Sequence, residues 1–282
     1  MPNLSSPLLS LSAAAAWGAG DFSGGLATRR STVYGVVAVA HATGLVFMVA
    51  LALLFQEVLP SGAALAWAAA AGLVGGAGLA CLYRALAVGK MGLNAPLSSV
   101  VAALVPLVFS FFSEGLPHAW RLAGCVVALV SIWLIAGQNQ RPSYRGQESA
   151  GLGLAVVAGV GLGGFLLLIK FAGSTAVFWP LVVTRAGSLG LMLTMIGASR
   201  SQWRPSSGSL GWVLLAGLLD TGANALYVLA LQRGSLAVAA ILSSLYPAST
   251  VILARLVLKE RWSRLQGIGM ATALLAVAMV SS

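Results

Sequence analysis

Apolar residues along this chain come in runs of about twenty, separated by short polar breaks. About 20 apolar residues in helical conformation cross the hydrocarbon of a bilayer. Ten such runs are read, at 8–28, 33–55, 63–88, 92–113, 119–137, 150–170, 175–198, 208–232, 235–258 and 263–281. Backbone groups in lipid must be satisfied within the segment, so each run is predicted as a helix and not as an open strand. The longest polar break, Gln138–Ser149, divides the ten into five and five, and a second polar loop, Ser199–Ser209, follows the seventh run.

The two groups of five echo each other at an offset of about 144 residues. Leu82-Tyr83 returns as Leu226-Tyr227, Ala95-Pro96-Leu97-Ser98-Ser99 as Ala240-Ile241-Leu242-Ser243-Ser244, and Gly18 and Phe22 as Gly161 and Phe165. Glu114 and Gly124 return, within a residue, as Glu260 and Gly269. The reading is an all-α integral membrane protein of ten transmembrane helices in two repeats, residues 1–140 and 150–282, joined by a linker at 141–149. An odd number of crossings per copy turns the second copy upside down, which gives the inverted repeat of many secondary transporters.

Composition supports lipid as the solvent. The chain is 59% hydrophobic and 8% charged, against about 25% charged in a soluble domain. Its 34 glycines fit closely packed membrane helices, and small-xxx-small pairs recur at Gly20/Gly24, Gly72/Gly76 and Gly159/Gly163. The net charge of +10 comes from single basic residues at the ends of apolar runs, so nucleic acid is excluded as a partner. Counting those residues by the positive-inside rule puts both termini outside. Cys81 and Cys125 lie inside apolar runs, and His41 and His118 are too few for a ligand cluster, so no metal and no cofactor is expected. The N-terminus lacks the basic region of a signal peptide.

Chemistry is sought among charges inside the runs, because an ionisable group there is costly and usually faces the bundle interior. Asp21, His41, Arg84, Arg185 and Asp220 qualify. Asp21, Arg84 and Asp220 align with Gly164, Val228 and Gly76 in the other copy, whereas His41 aligns with Arg185. Asp220, Asn224 and Tyr227 fall at i, i+4 and i+7, one polar stripe of a helix, which serves either substrate or an interhelical hydrogen-bond network. Asp21, one turn from Trp17, is read as an ammonium site, a proton carrier or a salt-bridge partner of Arg84 or Arg185. Pro96, Pro106, Pro180 and Pro247 are hinge candidates or simple kinks. The serine pairs 98–99 and 243–244 are read mainly as packing or backbone-bonding groups.

The repeated unit resembles the EamA-type module of the drug/metabolite transporter superfamily. The likeness rests on Trp17-Gly18, Tyr83-Arg84-Ala85-Leu86 with its imperfect partner Tyr227-Val228-Leu229-Ala230, the Ala-Pro-Leu-Ser-Ser segment, Pro106 and Pro247 downstream, and the turn Glu260–Gly269. It covers nearly the whole chain. It implies a basket of helices around a central cavity lined by spans one to four and six to nine, placing Trp17, Tyr83, Tyr227 and Tyr246 toward that cavity. It also implies cytoplasmic termini, opposite to the charge count.

Together these readings lead to a non-enzymatic secondary transporter working by alternating access. The mixed internal charge favours amino acids or similar zwitterionic metabolites, and the resemblance implies export. Multidrug or lipophilic-cation efflux, flipping of a lipid-linked substrate, and a receptor or structural role are the alternatives. Proton coupling through His41, Asp21 or Asp220 is left open. The expected partners are a small-molecule substrate and the lipid bilayer of a bacterial-type inner membrane, with the protein a monomer or homodimer.

Overall fold

The computed structural model describes residues 5–88, 91–113, 115, 118–136, 145–258 and 264–281. Among them eleven α-helices occur and no strand: α1 (Ser5–Thr28), α2 (Val33–Leu54), α3 (Gly62–Val88), α4 (Met91–Ser113), α5 (Ala119–Ala136), α6 (Arg145–Ala172), α7 (Phe178–Ser199), α8 (Leu210–Leu231), α9 (Leu236–Ser243), α10 (Tyr246–Leu258) and α11 (Arg264–Ser281). A short 3-10 turn, Ser207–Ser209, precedes α8. Each apolar run of the sequence falls on a helix, except that the ninth is split between α9 and α10. Six stretches are long and apolar enough to cross a membrane: Val33–Leu54, Gly62–Leu86, Gly151–Ala172, Phe178–Ser199, Ser207–Leu231 and Leu236–Val257. Shorter apolar helices lie at Leu97–Ser113 and Leu122–Leu134.

The distribution of residue size is that of a membrane bundle. Large apolar side chains such as Val46, Leu53, Phe112, Trp133 and Val157 face outward, while the interior is rich in alanine, glycine and serine. Lipid removes the hydrophobic incentive to hide leucine, and small residues let helix backbones approach. All six glycines of the three small-xxx-small pairs are points of approach. A Cβ on Gly72 would strike the Thr184 carbonyl, and one on Gly24 the Tyr83 ring. Trp67, Trp120 and Trp203 are exposed, as expected of interfacial tryptophans. Trp262, Glu114, Lys90, Lys259 and Glu260 lie outside the described residues.

Helices pair in antiparallel fashion. Near its start α1 meets the end of α8, where Ser6 donates to the Ala230 carbonyl (2.9 Å), and near its other end Phe22 packs edge-on against Trp212. Gly78 of α3 approaches Leu162 of α6 while Gly75 approaches Phe165, so that pair is antiparallel too. The pair α2 and α7 is held at both ends. After α2, Glu57 accepts three backbone hydrogen bonds, from Val177, Phe178 and Trp179, at 2.7–2.8 Å. After α7, the Gln202 carbonyl accepts from Thr32 Oγ1 (2.5 Å), just ahead of α2.

α2 and α7 also stop in the same way. Gln56 (φ +49°) and Arg200 (φ +51°) are the two positive-φ residues other than glycine among those described. The N–H of Glu57 bonds back to the Ala52 carbonyl, and that of Ser201 to the Ile196 carbonyl. This six-residue closure around a left-handed residue is a Schellman turn. The two turns lie 144 residues apart, the offset found in the sequence.

The prolines behave differently from one another. α4 runs unbroken through the positions of Pro96 and Pro106, so neither interrupts its helix. Pro180 stands in the first turn of α7, where its missing N–H costs nothing. Pro247 follows the break at Ser244–Leu245 and is the one hinge candidate at a discontinuity.

Candidate functional site

A cavity lies among α1, α2, α3, α4, α6, α7, α8 and the α9–α10 break. Its apolar wall includes Trp17, Leu79, Leu82, Phe165 and Leu166, and Gly72, Gly75 and Gly76 keep the α3 side open. Four ionisable residues line it: Asp21, His41, Arg185 and Asp220. A chamber that is mostly apolar with a few convergent polar groups is the usual form of a small-molecule site.

The charged wall is built from α2, α7 and α8. Arg185 Nη2 lies 2.6 Å from Asp220 Oδ2, and both belong to the buried interior of the bundle. His41 Nε2 stands 3.8 Å from the same oxygen, while His41 Nδ1 shares a 2.6 Å hydrogen bond with Ser188 Oγ. Arg185 Nε has no hydrogen-bond partner among the described residues. The guanidinium therefore retains a donor after pairing with Asp220. Ser188, one turn beyond Arg185, was missed in the sequence because a lone serine in an apolar run carries no signal of its own.

The polar stripe of α8 divides. Asp220 and Asn224 reach the cavity, and Asn224 Oδ1 accepts from the Trp17 indole (2.8 Å). Tyr227 is fully buried behind the wall, 5.6 Å from Trp17 ring to ring, with its hydroxyl donating to the Leu166 carbonyl (3.3 Å). Tyr83 is likewise buried outside the lining, packed on Gly24. Both tyrosines position cavity residues without facing the cavity. Arg84, expected inside, is exposed on α3 and forms no ion pair with Asp21. A position midway along an apolar run does not specify a face, and a long guanidinium on the outer face can extend along its stem.

Asp21 is the outlier. It is buried, it lines the cavity, and among the described residues its carboxylate makes no hydrogen bond and no ion pair. Arg185 is committed to Asp220, so neither salt bridge considered for Asp21 exists. The lining thus holds two carboxyl groups, one guanidinium and one imidazole. Ser244 and Tyr246, at the α9–α10 break, complete the cavity beside α1. Among the described residues no group of three metal-ligating side chains occurs.

A polytopic helical bundle with a charged chamber at its centre has the architecture of a membrane transporter. Residues 149–282 match the EamA-like transporter family, in agreement with the motifs. A solved structure titled "Crystal structure of protein" superposes with a TM-score of 0.76, covering 97% of this chain and 95% of that one at 16% identity. That likeness shows the fold. No curated protein matches the chain.

Proposed function

We propose that this protein is a secondary transporter of small zwitterionic solutes, amino acids or close relatives, which it exports by alternating access. The observation that carries the reading is a single cavity presenting a buried guanidinium with a spare donor, Arg185, and a separate unpaired carboxylate, Asp21. A substrate carboxylate fits the first and a substrate ammonium the second. The apolar wall of Trp17, Leu79 and Phe165 would take a side chain.

Two inverted repeats would supply the mechanism, and paired features about 144 residues apart support that reading. The Schellman turns at Gln56 and Arg200 are repeat mates. The approach of Gly217 to Ala40 (α8 on α2) mirrors that of Gly72 to Thr184 (α3 on α7), each residue within one position of its mate 144 residues on. The α1–α8 and α3–α6 pairs exchange under the same relation. A cavity enclosed by such halves opens to either side when the two exchange conformations.

The test is counterflow in proteoliposomes preloaded with mixed unlabelled amino acids, following entry of labelled Thr, Met, Leu and Phe. Saturable entry that is lost in Asp21→Asn and in Arg185→Gln is expected. Absence of counterflow from folded, inserted protein contradicts the amino-acid reading and favours lipophilic cations or lipid-linked substrates.

A further inference from the structure

Beyond its ionisable residues, the cavity has a second chemical feature, the hydroxyls of Ser244 and Tyr246 at the helix break. Ser244 Oγ is buried and makes no hydrogen bond among the described residues, and the buried Tyr246 phenol adjoins the hydroxyls of Ser98 and Ser99. A buried hydroxyl without a partner is costly, so Ser244 Oγ calls for one. The backbone there is also incompletely satisfied. Pro247 has no N–H, so the helix cannot close on the Ser243 carbonyl across the break. The adjacent Ser244 carbonyl takes its hydrogen bond from Ser99 Oγ of α4 instead.

Gly18, three residues before Asp21, lies directly against the Tyr246 carbonyl and Ser249, and Thr250 Oγ1 donates to the Gly18 carbonyl at 3.0 Å. α1 and the start of α10 are thereby fixed together. Asp21, Ser244 and Tyr246 line the same cavity, and the Tyr246 phenol feels the field of Asp21 and has Ser98 and Ser99 as neighbours. Asp21 itself is 6% exposed. The ensemble is one carboxylate and three hydroxyl oxygens beside an interrupted helix, with no nitrogen donor among them. Hard cations take oxygen ligands of this kind, and broken helices in transporters supply them.

We infer that Asp21, with the hydroxyls of Tyr246, Ser244 and Ser98, forms a subsite for a compact monovalent cation. A single carboxylate and neutral oxygens balance one positive charge. The cation comes either as the ammonium of the transported solute or as a free sodium ion that moves with it. The subsite has no counterpart at the aligned positions. Asp21 aligns with Gly164, Tyr246 with Val101 and Pro247 with Ala102, so the first copy lacks the break and the second lacks the carboxylate. The identity of the cation rests on the transport reading, whereas the existence of the subsite does not.

The test is thermal unfolding of the full-length protein in detergent at constant ionic strength. N-methylglucamine chloride is replaced stepwise by sodium, lithium, potassium or methylammonium chloride. Wild type is expected to show a saturable rise of ~2–4 °C with sodium or with methylammonium. In Tyr246→Phe the half-saturating concentration should rise about tenfold, and in Asp21→Asn the response should vanish. If Asp21→Asn does not fold, Tyr246→Phe and Ser244→Ala carry the comparison. Saturation by sodium identifies a coupling ion, and saturation by methylammonium alone identifies the substrate amine. Equal midpoints in every salt for wild type, or an undiminished shift in Asp21→Asn, overturns the subsite. A saturable shift together with failed counterflow leaves the subsite standing and removes the amino-acid reading.

Discussion

At the end of α2 the chain turns through Gln56 and sets the Glu57 carboxylate on three N–H groups at the start of α7. One repeat later it turns identically through Arg200, but the residue in the place of Glu57 is Ser201, whose hydroxyl bonds only to Ser199 (2.7 Å). The second clasp is made instead by neutral groups: Thr32 on the Gln202 carbonyl, and the Ser206 N–H on Ser31 Oγ (2.9 Å). The first clasp gains further from the stacking of Phe55 on Phe178 at 5.4 Å and from the Trp179 indole on the Glu57 carbonyl (2.8 Å). A carboxylate on a helix N-terminus meets unsatisfied donors and the positive end of the helix dipole together. The backbone of the two ends is alike, while one clasp is charge-assisted and the other neutral.

The comparison breaks most severely where the repeats share a backbone contact. Gly72→Leu and Gly217→Leu, each driving a side chain into a main-chain carbonyl of the neighbouring helix, should each cost about 3 kcal/mol or more. Both should abolish the monodisperse peak in size-exclusion chromatography. Gly190→Ala, with open space around it, should leave that peak unchanged. Equal tolerance at all three positions would contradict the packing described. Next in size is the charged clasp. Glu57→Gln should lower stability by about 2 kcal/mol, and Thr32→Val by about 1 kcal/mol, read as melting midpoints in detergent. Equal losses would show that the two ends are energetically alike. Smallest are the turns themselves. Gln56→Gly and Arg200→Gly should each stabilise by about 0.5–1 kcal/mol, because a left-handed backbone strains any residue with a Cβ. Opposite signs at the two positions would count against a common turn.

Much of this was legible in the sequence because lipid imposes a strong rule on the backbone. Ten apolar runs predicted helices closely, including the polar boundary ahead of α8. The Gly pairs, unspecific as motifs, proved to be points of helix approach because a Cβ there would meet the neighbouring helix. The charges were harder. Two acids and two arginines in the runs implied mutual neutralisation, yet Arg84 faces outward and Asp21 is left alone, since run membership does not specify a face. The split between α9 and α10 was signalled by Pro247, but Pro106, which looked equivalent, leaves α4 intact. Glu57 escaped notice altogether. An acid in a polar loop reads as a solvated charge, and only the fold brings the α7 N-terminus to it.

The central claim is that one cavity reads both ends of a zwitterion. The most direct measurement is counterflow in proteoliposomes with three matched competitors: phenylalanine, phenethylamine, which lacks the carboxylate, and hydrocinnamate, which lacks the ammonium. Strong saturable competition by phenylalanine, with each single-charge analogue weaker by about tenfold or more, is the predicted result. Phenethylamine competing as well as phenylalanine would contradict the account and make the protein a cation carrier whose arginine is structural.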